Sequence, residues 1–231
     1  MKPRRGRILV FARAPVPGRC KTRLIPALGA PGAAALHRRL VRKTLAAARS
    51  AGLPVELWCA PDTAHGFFAA CRRDFGVRLR RQPAGDLGRR MALALARVLH
   101  EGAGAAVLVG TDCPDFTGED FARGLAALTT ADCVLQPSDD GGYVLIGARR
   151  IERRALAGVA WSSSRELAQT RGRLARLDQS WRELRVLRDI DSPGDYRDAR
   201  RRGFRPRDLG EVSRERGRSP RRRETAKLTP S

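Results

Sequence analysis

The sequence predicts an α/β fold, a three-layer α/β/α sandwich with a mostly parallel central sheet. Short apolar runs alternate along the chain with longer amphipathic segments, which is the pattern of strands that alternate with helices. Several apolar runs lack polar interruptions, as expected of strands covered on both faces. With 42% hydrophobic residues, the 231-residue chain can also bury a sizeable core. Such alternation predicts one sheet with helices on both faces.

In the first half of the chain, proline and glycine mark where the helices begin and end. The helix predicted over 31–51 has Pro31 near its start and Gly52 just past its end, the positions that these residues favour. A short helix before Gly76 ends in the same way. The other predicted elements are buried strands over 7–12 and 54–60, a strand with one wet face over 77–82, a helix over 87–102, and a strand over 105–114 that runs into a loop.

The second half of the chain continues this alternation. A predicted helix in GEDFARGLAALTT is followed by predicted strands in DCVLQPS and GYVLIGA. A helical segment over 162–177 and an extended segment over 183–191 come next. Ser192 and Pro193 then predict the start of a last helix, as its N-cap and its first residue.

The chain is strongly basic, with 46 Lys and Arg against 24 Asp and Glu and a net charge of +22. Beyond about residue 203, Pro, Gly, Ser and Arg dominate, so we expect one domain over 1–203 and a basic disordered tail over 204–231. The charge favours contact with polyanions, and a non-enzymatic polyanion-binding protein is one alternative. The cations are scattered, however, and aromatic residues make up only 5%, so we do not expect a nucleic-acid surface.

Cysteine usage and hydropathy bear on the cellular compartment. The five cysteines are odd in number and share no CxxC spacing, which favours a reduced, cytoplasmic protein over a disulfide framework or structural zinc. No run of 18 apolar residues is present, so a membrane span is not expected. The first apolar stretch is short and lacks a small-residue cleavage site, so we expect no signal peptide.

The loop after the first strand, in FARAPVPGRCKTRL, combines a fixed backbone shape with spaced cations. Two prolines and a glycine shape it, and Arg19, Lys21 and Arg23 occupy alternate positions. It is not a Walker A motif, because Cys20 stands where that motif needs glycine before lysine. We expect its amides and its exposed cationic heads to hold a diphosphate. A solvated basic loop is the alternative.

Acidic residues follow three later strands. Asp112 ends an apolar strand, where a carboxylate can ligate Mg²⁺ or Mn²⁺ together with phosphate oxygens. Asp140 precedes the pair Gly141–Gly142, and Asp189 and Asp191 share one face of an extended segment. Each has a structural alternative, namely a helix cap, an Asx turn or a hairpin turn. Because parallel strands end at one edge of the sheet, we expect a cation site there that faces the basic loop.

Six stretches of the chain resemble, in the same order, those of a bacterial glycosyltransferase-like family of unknown function, the rSAM/selenodomain- or arsenosugar-associated transferases. The stretches are FARAPVPGRCKTRLIPALG, QPAGDLGRRM, GTDCPDFT, DDGGYVLIG, VAWSSSRELAQT and DIDSPGD, from residue 8 to about 200. That family belongs to the nucleotide-diphospho-sugar transferase (GT-A) superfamily. The resemblance implies a GT-A/Rossmann-like fold that binds a nucleotide-activated substrate.

The resemblance also implies roles for individual residues. Asp112 and Asp191 would be ligands of Mg²⁺ or Mn²⁺. Asp140, Tyr143 and the pair Gly141–Gly142 would face the acceptor. The residues implied to bind the nucleotide are Arg19, Lys21 and Arg23 at its phosphates and Gln82, Gly85 and Asp86 at its base.

Together these observations predict a metal-dependent transferase that uses a nucleotide-activated sugar. A cation on Asp112 and Asp191 would stabilise the leaving nucleotide, and Lys21 would add positive charge there as a catalytic group. Asp140 would orient or deprotonate an acceptor hydroxyl. The alternative within the superfamily is a nucleotidylyltransferase that transfers NMP from an NTP to a phosphorylated small-molecule acceptor.

Overall fold

A seven-stranded sheet forms the centre of the protein, whose computed structural model describes residues 6–205. The strands are β1 (Arg7–Arg13), β2 (Val55–Ala60), β3 (Arg78–Arg81), β4 (Ala106–Val109), β5 (Cys133–Pro137), β6 (Tyr143–Ala148) and β7 (Trp181–Glu183). Across the sheet they follow the order β3-β2-β1-β4-β6-β5-β7. Strand β6 is antiparallel to both neighbours, and the other strand pairs are parallel. The predicted mostly parallel sheet is therefore confirmed.

Helices cover both faces of this sheet. They are α1 (Ile25–Ser50), α2 (Gly66–Phe75), α3 (Leu87–His100), α4 (Gly118–Ala127), α5 (Glu166–Arg176) and α6 (Pro193–Arg201). One core joins the sheet to α1, α2 and α4 through Leu45, Phe68 and Phe121. A second core joins its other face to α3 and α5 through Leu95 and Leu174. The predicted three-layer sandwich is confirmed.

Two helices begin where the sequence predicts. Helix α1 is interrupted at Gly29, whose φ of 68° is non-helical, so its continuous part begins near Pro31. At α6, the side chain of Ser192 accepts a hydrogen bond from the Asp195 N–H, and the Asp195 carboxylate accepts one from the Ser192 N–H. This reciprocal cap satisfies two backbone donors that the helix itself cannot.

Two predicted segments are shorter in the structure. The helix predicted over 162–177 begins only at Glu166, because Ser162 has a left-handed φ of 61°. The segment over 183–191 is extended, but after β7 ends it makes only a single bridge, between Leu187 and Ser138. Both departures lie beside the cavity described below, where backbone groups turn toward other segments instead of continuing a helix or a strand.

The domain extends at least one residue past the predicted boundary at 203. Phe204 packs against a small apolar cluster that contains Leu24, Leu40 and Ile190, and its N–H donates to the carbonyl oxygen of Ala199 over 2.9 Å. The sequence does not predict this contact, because Phe204 is a single apolar residue within an arginine-rich stretch. The predicted disorder of the rest of the tail falls on residues 206–231, which lie outside the described part of the chain.

The turn between β5 and β6 requires glycine at position 141. Gly141 has a φ of 89°, in the left-handed region that glycine enters at low cost. A Cβ atom there would lie 2.4 Å from the carbonyl oxygen of Ser164. The Gly141 carbonyl oxygen also accepts a hydrogen bond of 3.1 Å from the Leu167 N–H. The turn is thus fastened to the segment that leads into α5.

Replacing Gly141 with alanine should destabilise the protein by about 2–4 kcal/mol, because it combines an unfavourable φ with a backbone clash. The matched control is Gly172→Ala within α5, where a Cβ meets nothing within 4 Å. Alanine there should stabilise the protein by roughly 0.5–1 kcal/mol through its higher helix propensity. Urea unfolding measures both changes, and equal effects of the two substitutions would contradict the prediction.

Candidate active site

A cavity of about 500 Å³ opens where β4 ends and β6 begins. Its apolar wall includes Phe11 of β1, Met91 of α3, Leu108 of β4 and Ile146 of β6. This is the edge of the sheet at which the parallel strands end, as the sequence predicts. The charged residues that line the cavity are Arg23, Asp112, Asp140, Glu166, Asp189 and Asp191.

The cavity brings together part of the predicted site. The predicted residues that line it are Arg23, Asp112, Asp140, Gly142, Tyr143 and Asp191. Those that do not line it are Arg19, Lys21, Gln82, Gly85, Asp86 and Gly141. Three separate loops, after β1, after β4 and before α6, thus meet at one place, while the loop after β3 lies outside the lining.

Lys21 is buried, and the expectation that its head is exposed is wrong. Its Nζ lies 2.8 Å from Oδ1 of Asp112 and 2.8 Å from Oδ1 of Asp191, and it also donates to the carbonyl oxygen of Ile190. Only 5% of the Lys21 side chain is exposed, and its backbone has a left-handed φ of 48°. The ammonium group therefore ties the loop after β1 to the two carboxylates predicted to hold a metal.

The two carboxylates are close to each other because their backbones are joined. The Ile190 N–H donates to the carbonyl oxygen of Asp112 over 2.9 Å, which aligns the segment before α6 with the loop after β4. The side chains of Asp112 and Asp191 are 42% and 40% exposed, so each keeps part of its surface open. Lys21 thus contacts the two carboxylates without shielding them fully from the cavity.

The electrostatics of this site favour the charged forms of Lys21 and Asp112, whereas burial raises the pKa of Asp191 above its ordinary value. Burial alone would lower the pKa of Lys21, but Asp112 and Asp191 outweigh it and raise that pKa above its ordinary value. Burial alone would raise the pKa of Asp112, but the Lys21 ammonium outweighs it and holds that pKa below its ordinary value. Lys21 and Asp112 are therefore both ionised at neutral pH.

Two further carboxyl groups, those of Asp189 and Glu166, have raised pKa values, so their charged forms are disfavoured. Burial raises the pKa of Asp189 to about 7, with the like charges of Asp191, Asp140 and Asp112 adding to the shift. Burial likewise raises the pKa of Glu166, although it accepts hydrogen bonds from two backbone N–H groups. Shifts of this sign mean that the cavity would be stabilised by added positive charge.

The Asp189 shift predicts a pH-dependent penalty on stability. Between about pH 4, the pKa of an unfolded Asp, and about 7, the folded protein keeps a proton that the unfolded chain has lost, so stability falls as pH rises. Asp189→Asn should therefore raise the Tm at pH 8 and change it little at pH 4, in metal-free buffer. The exposed Asp115→Asn serves as the control. A larger gain at pH 4 than at pH 8 would refute this account.

Asp140 shapes the β5–β6 turn. Its Oδ1 accepts hydrogen bonds from the Ser138 hydroxyl and from the Gly142 N–H, the latter over 3.0 Å. The neighbouring Asp139 pairs instead with Arg188 at 2.9 Å. The hairpin-turn alternative for these residues therefore holds, and the acceptor role of Asp140, which also lines the cavity, stays a prediction.

The residues predicted to read the base support local structure. The Gln82 amide donates to the carbonyl oxygens of Trp58 and Ala12, and its Oε1 accepts from Arg90 over 2.9 Å. Asp86 caps α3 by accepting a hydrogen bond of 2.8 Å from the Arg89 N–H. The backbone of Gly85 has a φ of 117°, and Arg19 lies exposed on its own loop. Their roles toward a nucleotide stay predictions.

Sequence reasoning missed Glu166 and the serines at 162–164, which line the cavity. Oε1 of Glu166 accepts hydrogen bonds from the N–H groups of Ser162 and Ser163. The available signal was a run of three serines followed by a glutamate at the start of a helix. Without the fold, that run is indistinguishable from ordinary helix capping.

The cavity suits a divalent cation that a substrate helps to bind. Within residues 6–205, no three His, Cys, Asp or Glu side chains are arranged as a ready-made metal site. Asp112 and Asp191 nevertheless provide hard oxygen donors, and each directs one oxygen at Lys21. Mg²⁺ commonly binds to one or two carboxylates and takes its remaining ligands from water and substrate phosphates. The donor set therefore fits Mg²⁺ or Mn²⁺ together with a diphosphate.

Solved structures share this architecture. A protein from Desulfovibrio desulfuricans G20, described provisionally as a nucleotide-diphospho-sugar transferase, is 27% identical, with a TM-score of 0.78 over 88% of this chain and 93% of that one. The 4-diphosphocytidyl-2C-methyl-D-erythritol synthase of Anaerococcus prevotii DSM 20548 is 12% identical, with a TM-score of 0.57 over 87% and 97%. A CMP:2-keto-3-deoxy-manno-octonic acid synthetase complexed with CTP is 14% identical, with a TM-score of 0.52 over 86% and 98%.

Fold and similarity together define an enzyme, a transferase of the nucleotide-diphospho-sugar transferase superfamily with a GT-A-like fold. Within it, the chain belongs to the family described as "uncharacterized protein conserved in bacteria (DUF2064)", whose profile matches residues 44–163. No protein of curated function matches the chain in sequence. Among the helices of residues 6–205, none combines the length and apolar character needed to cross a membrane.

Proposed function

We propose that the protein is a metal-dependent transferase that uses a nucleotide-activated sugar. The observation that carries the proposal is the pairing of Asp112 and Asp191 through Lys21 at the edge of the cavity. The volume of about 500 Å³ lies within the range of small-molecule sites. Both carboxylates are partly open, so they could meet the diphosphate of a donor through a shared cation.

The residues near Asp112 and Asp191, which we call the donor end of the cavity, would each act on the nucleotide-sugar donor in a different way. Mg²⁺ or Mn²⁺ held by Asp112 and Asp191 would neutralise charge that develops on the leaving nucleotide. Lys21 holds the pKa of Asp112 low, counteracts the burial that raises the pKa of Asp191, and adds its own positive charge, which is the catalytic role we assign to it. Arg23 lines the cavity and would contact a donor phosphate, and the exposed Arg19 would approach from the solvent side.

The remaining predicted residues would act at the base and at the acceptor. The loop of Gln82, Gly85 and Asp86 directly precedes Leu87, which lines the cavity, so this loop could reach a base that extends out of it. Asp140, in the β5–β6 turn, and Tyr143, the first residue of β6, also line the cavity. There Asp140 would accept a hydrogen bond from the attacking hydroxyl and orient it.

Nucleotidyl transfer is the second candidate. It is favoured by the shared fold of the two synthetases above, whose names describe cytidylyl products or a complex with CTP. In that reaction a phosphorylated acceptor would attack the α-phosphate of an NTP, and pyrophosphate would leave. Glycosyl transfer from an NDP-sugar would release an NDP instead.

A thermal-shift screen followed by product analysis tests the proposal. NTPs and NDP-sugars are compared with and without Mn²⁺, and released NDP and pyrophosphate are then measured. We expect Mn²⁺-dependent stabilisation by an NDP-sugar and release of its NDP. Pyrophosphate release from an NTP would favour the second candidate. Binding that is steeply salt-dependent but indifferent to Mn²⁺ and to the nucleotide would favour a polyanion-binding protein.

A further inference from the structure

We propose that the acceptor carries no anionic group, and that Asp140 and Glu166 exclude acceptors with a phosphate or carboxylate. The inference rests on the proposed function and concerns the end of the same cavity that is formed by the β5–β6 turn and the start of α5. It assigns to Glu166 a part in substrate specificity, and it narrows the acceptor to an uncharged hydroxyl compound.

The first observation is that Glu166 occupies the natural anion site at this end. Successive backbone N–H groups in a turn that includes a left-handed residue can form a concavity that binds anions, and Ser162, in the turn before α5, has a left-handed φ of 61°. Here the N–H groups of Ser162 and Ser163 both donate to Oε1 of Glu166, the second over 3.3 Å. An anionic acceptor would have to displace a carboxylate that the chain itself supplies.

The second observation is that Asp140 accepts hydrogen bonds from the donors of the β5–β6 turn. A turn with two glycines can present its N–H groups to an anion. In this turn the Gly142 N–H and the Ser138 hydroxyl both donate to Oδ1 of Asp140. Two separate polar-donor sites on the acceptor side are therefore each occupied by a carboxylate of the protein.

The third observation is the distribution of charge. Among the described residues that line the cavity, Arg23 is the single cation, and it acts on Asp191 at the donor end. Lys21 is already shared by Asp112 and Asp191. Asp189, which also lines the cavity, has no hydrogen-bond or ion-pair partner within residues 6–205. An anionic acceptor would thus meet like charge, which disfavours its binding.

An uncharged hydroxyl compound, in contrast, suits the carboxylates of this cavity. Ionised carboxylates only accept hydrogen bonds, and each hydroxyl of a polyol supplies a donor. The free oxygens of Asp140 and Glu166 could therefore bind and orient such an acceptor. A phosphorylated acceptor, which nucleotidyl transfer would require, finds no free cation among the described residues at this end of the cavity.

Charged thiol reagents can measure this local potential without knowledge of the acceptor. Ser164→Cys places a thiol in the cavity lining, and Ala69→Cys places one on the exposed surface of α2. The five native cysteines are all buried, and the unmodified protein gives their background. We compare the labelling rates of a cationic and an anionic methanethiosulfonate reagent of similar size at both positions.

We expect the cation-to-anion rate ratio to be about tenfold higher at position 164 than at position 69. The contrast is specific, because the net charge of +22 should favour the anionic reagent elsewhere on the protein. Glu166→Gln should reduce the ratio at 164, and the exposed Glu119→Gln on α4 should leave it unchanged. An equal or lower ratio at 164 than at 69 overturns the proposal.

Matched pairs of uncharged and phosphorylated acceptors then test whether the cavity excludes an anionic acceptor. Glucose and glycerol are compared with glucose 6-phosphate and glycerol 3-phosphate, by NDP release from NDP-sugars with Mn²⁺. The uncharged member of a pair should be the better acceptor, and Glu166→Gln should narrow the difference. A phosphate ester that is the better acceptor overturns the inference while the proposed function stands. If no NDP-sugar binds or is consumed, the proposed function fails, and the labelling ratio still decides the charge preference of the cavity.

Discussion

Replacing Asp112 with asparagine is expected to lower metal-dependent transfer roughly 100- to 1,000-fold, because a metal ligand contributes several kcal/mol of charge stabilisation in the transition state. Asparagine keeps the size of the side chain and one oxygen for Lys21, so the fold should persist. The proposed cation site loses one of its two carboxylates. Calorimetry should show that Mn²⁺ no longer strengthens nucleotide binding.

The control for this change is Asp115→Asn, three residues along the same loop. Asp115 is exposed and does not line the cavity, so its substitution should alter neither Mn²⁺-dependent binding nor turnover. Circular dichroism and Tm would establish that both variants are folded. If Asp112→Asn bound nucleotide with unchanged dependence on Mn²⁺, the cation would have to be held elsewhere.

Replacing Lys21 with methionine should lower both activity and stability. Turnover should fall about 100-fold, as when one preorganised donor is removed from a transition-state site. Breaking a fully buried ion pair costs about 3–5 kcal/mol, but Asp112 and Asp191 are about 40% exposed and water screens them, so we expect a loss of about 1–2 kcal/mol. The exposed Lys43→Met on α1 is the matched control and should change little.

The pH dependence of this loss has a defined sign. The pKa of Asp112 is lowered in the folded state, so its contribution is present above the unfolded value of about 3.9 and is lost as pH falls through the folded value. The pKa of Lys21 is raised, so its contribution is present below about 10.4 and is lost as pH rises through the folded value. The difference between wild type and Lys21→Met should therefore grow from pH 3 to pH 7. A difference that shrinks over that interval would contradict the pairing.

Much of the fold and part of the site could be predicted from local pattern. The continuous apolar runs of β1, β4 and β6 predict strands because both faces must be buried. Ser192 and Pro193 predict a helix start because the cap and the fixed φ are local properties of those residues. Asp112 and Asp191 could be nominated because chain topology alone brings strand ends to one edge of the sheet.

The layered fold, its order of elements and the edge at which the acidic loops meet therefore follow from local sequence pattern. The contacts that each charge makes at that edge depend on the assembled fold. Lys21 looks like a free phosphate-binding cation in its own loop, yet residues about 90 and 170 positions away bury and pair it. Glu166 looks like an ordinary first residue of a helix until the cavity is seen. Hydrophobic periodicity and capping act over a few residues, whereas pairing and burial of charge depend on segments that become neighbours only when the sheet is assembled.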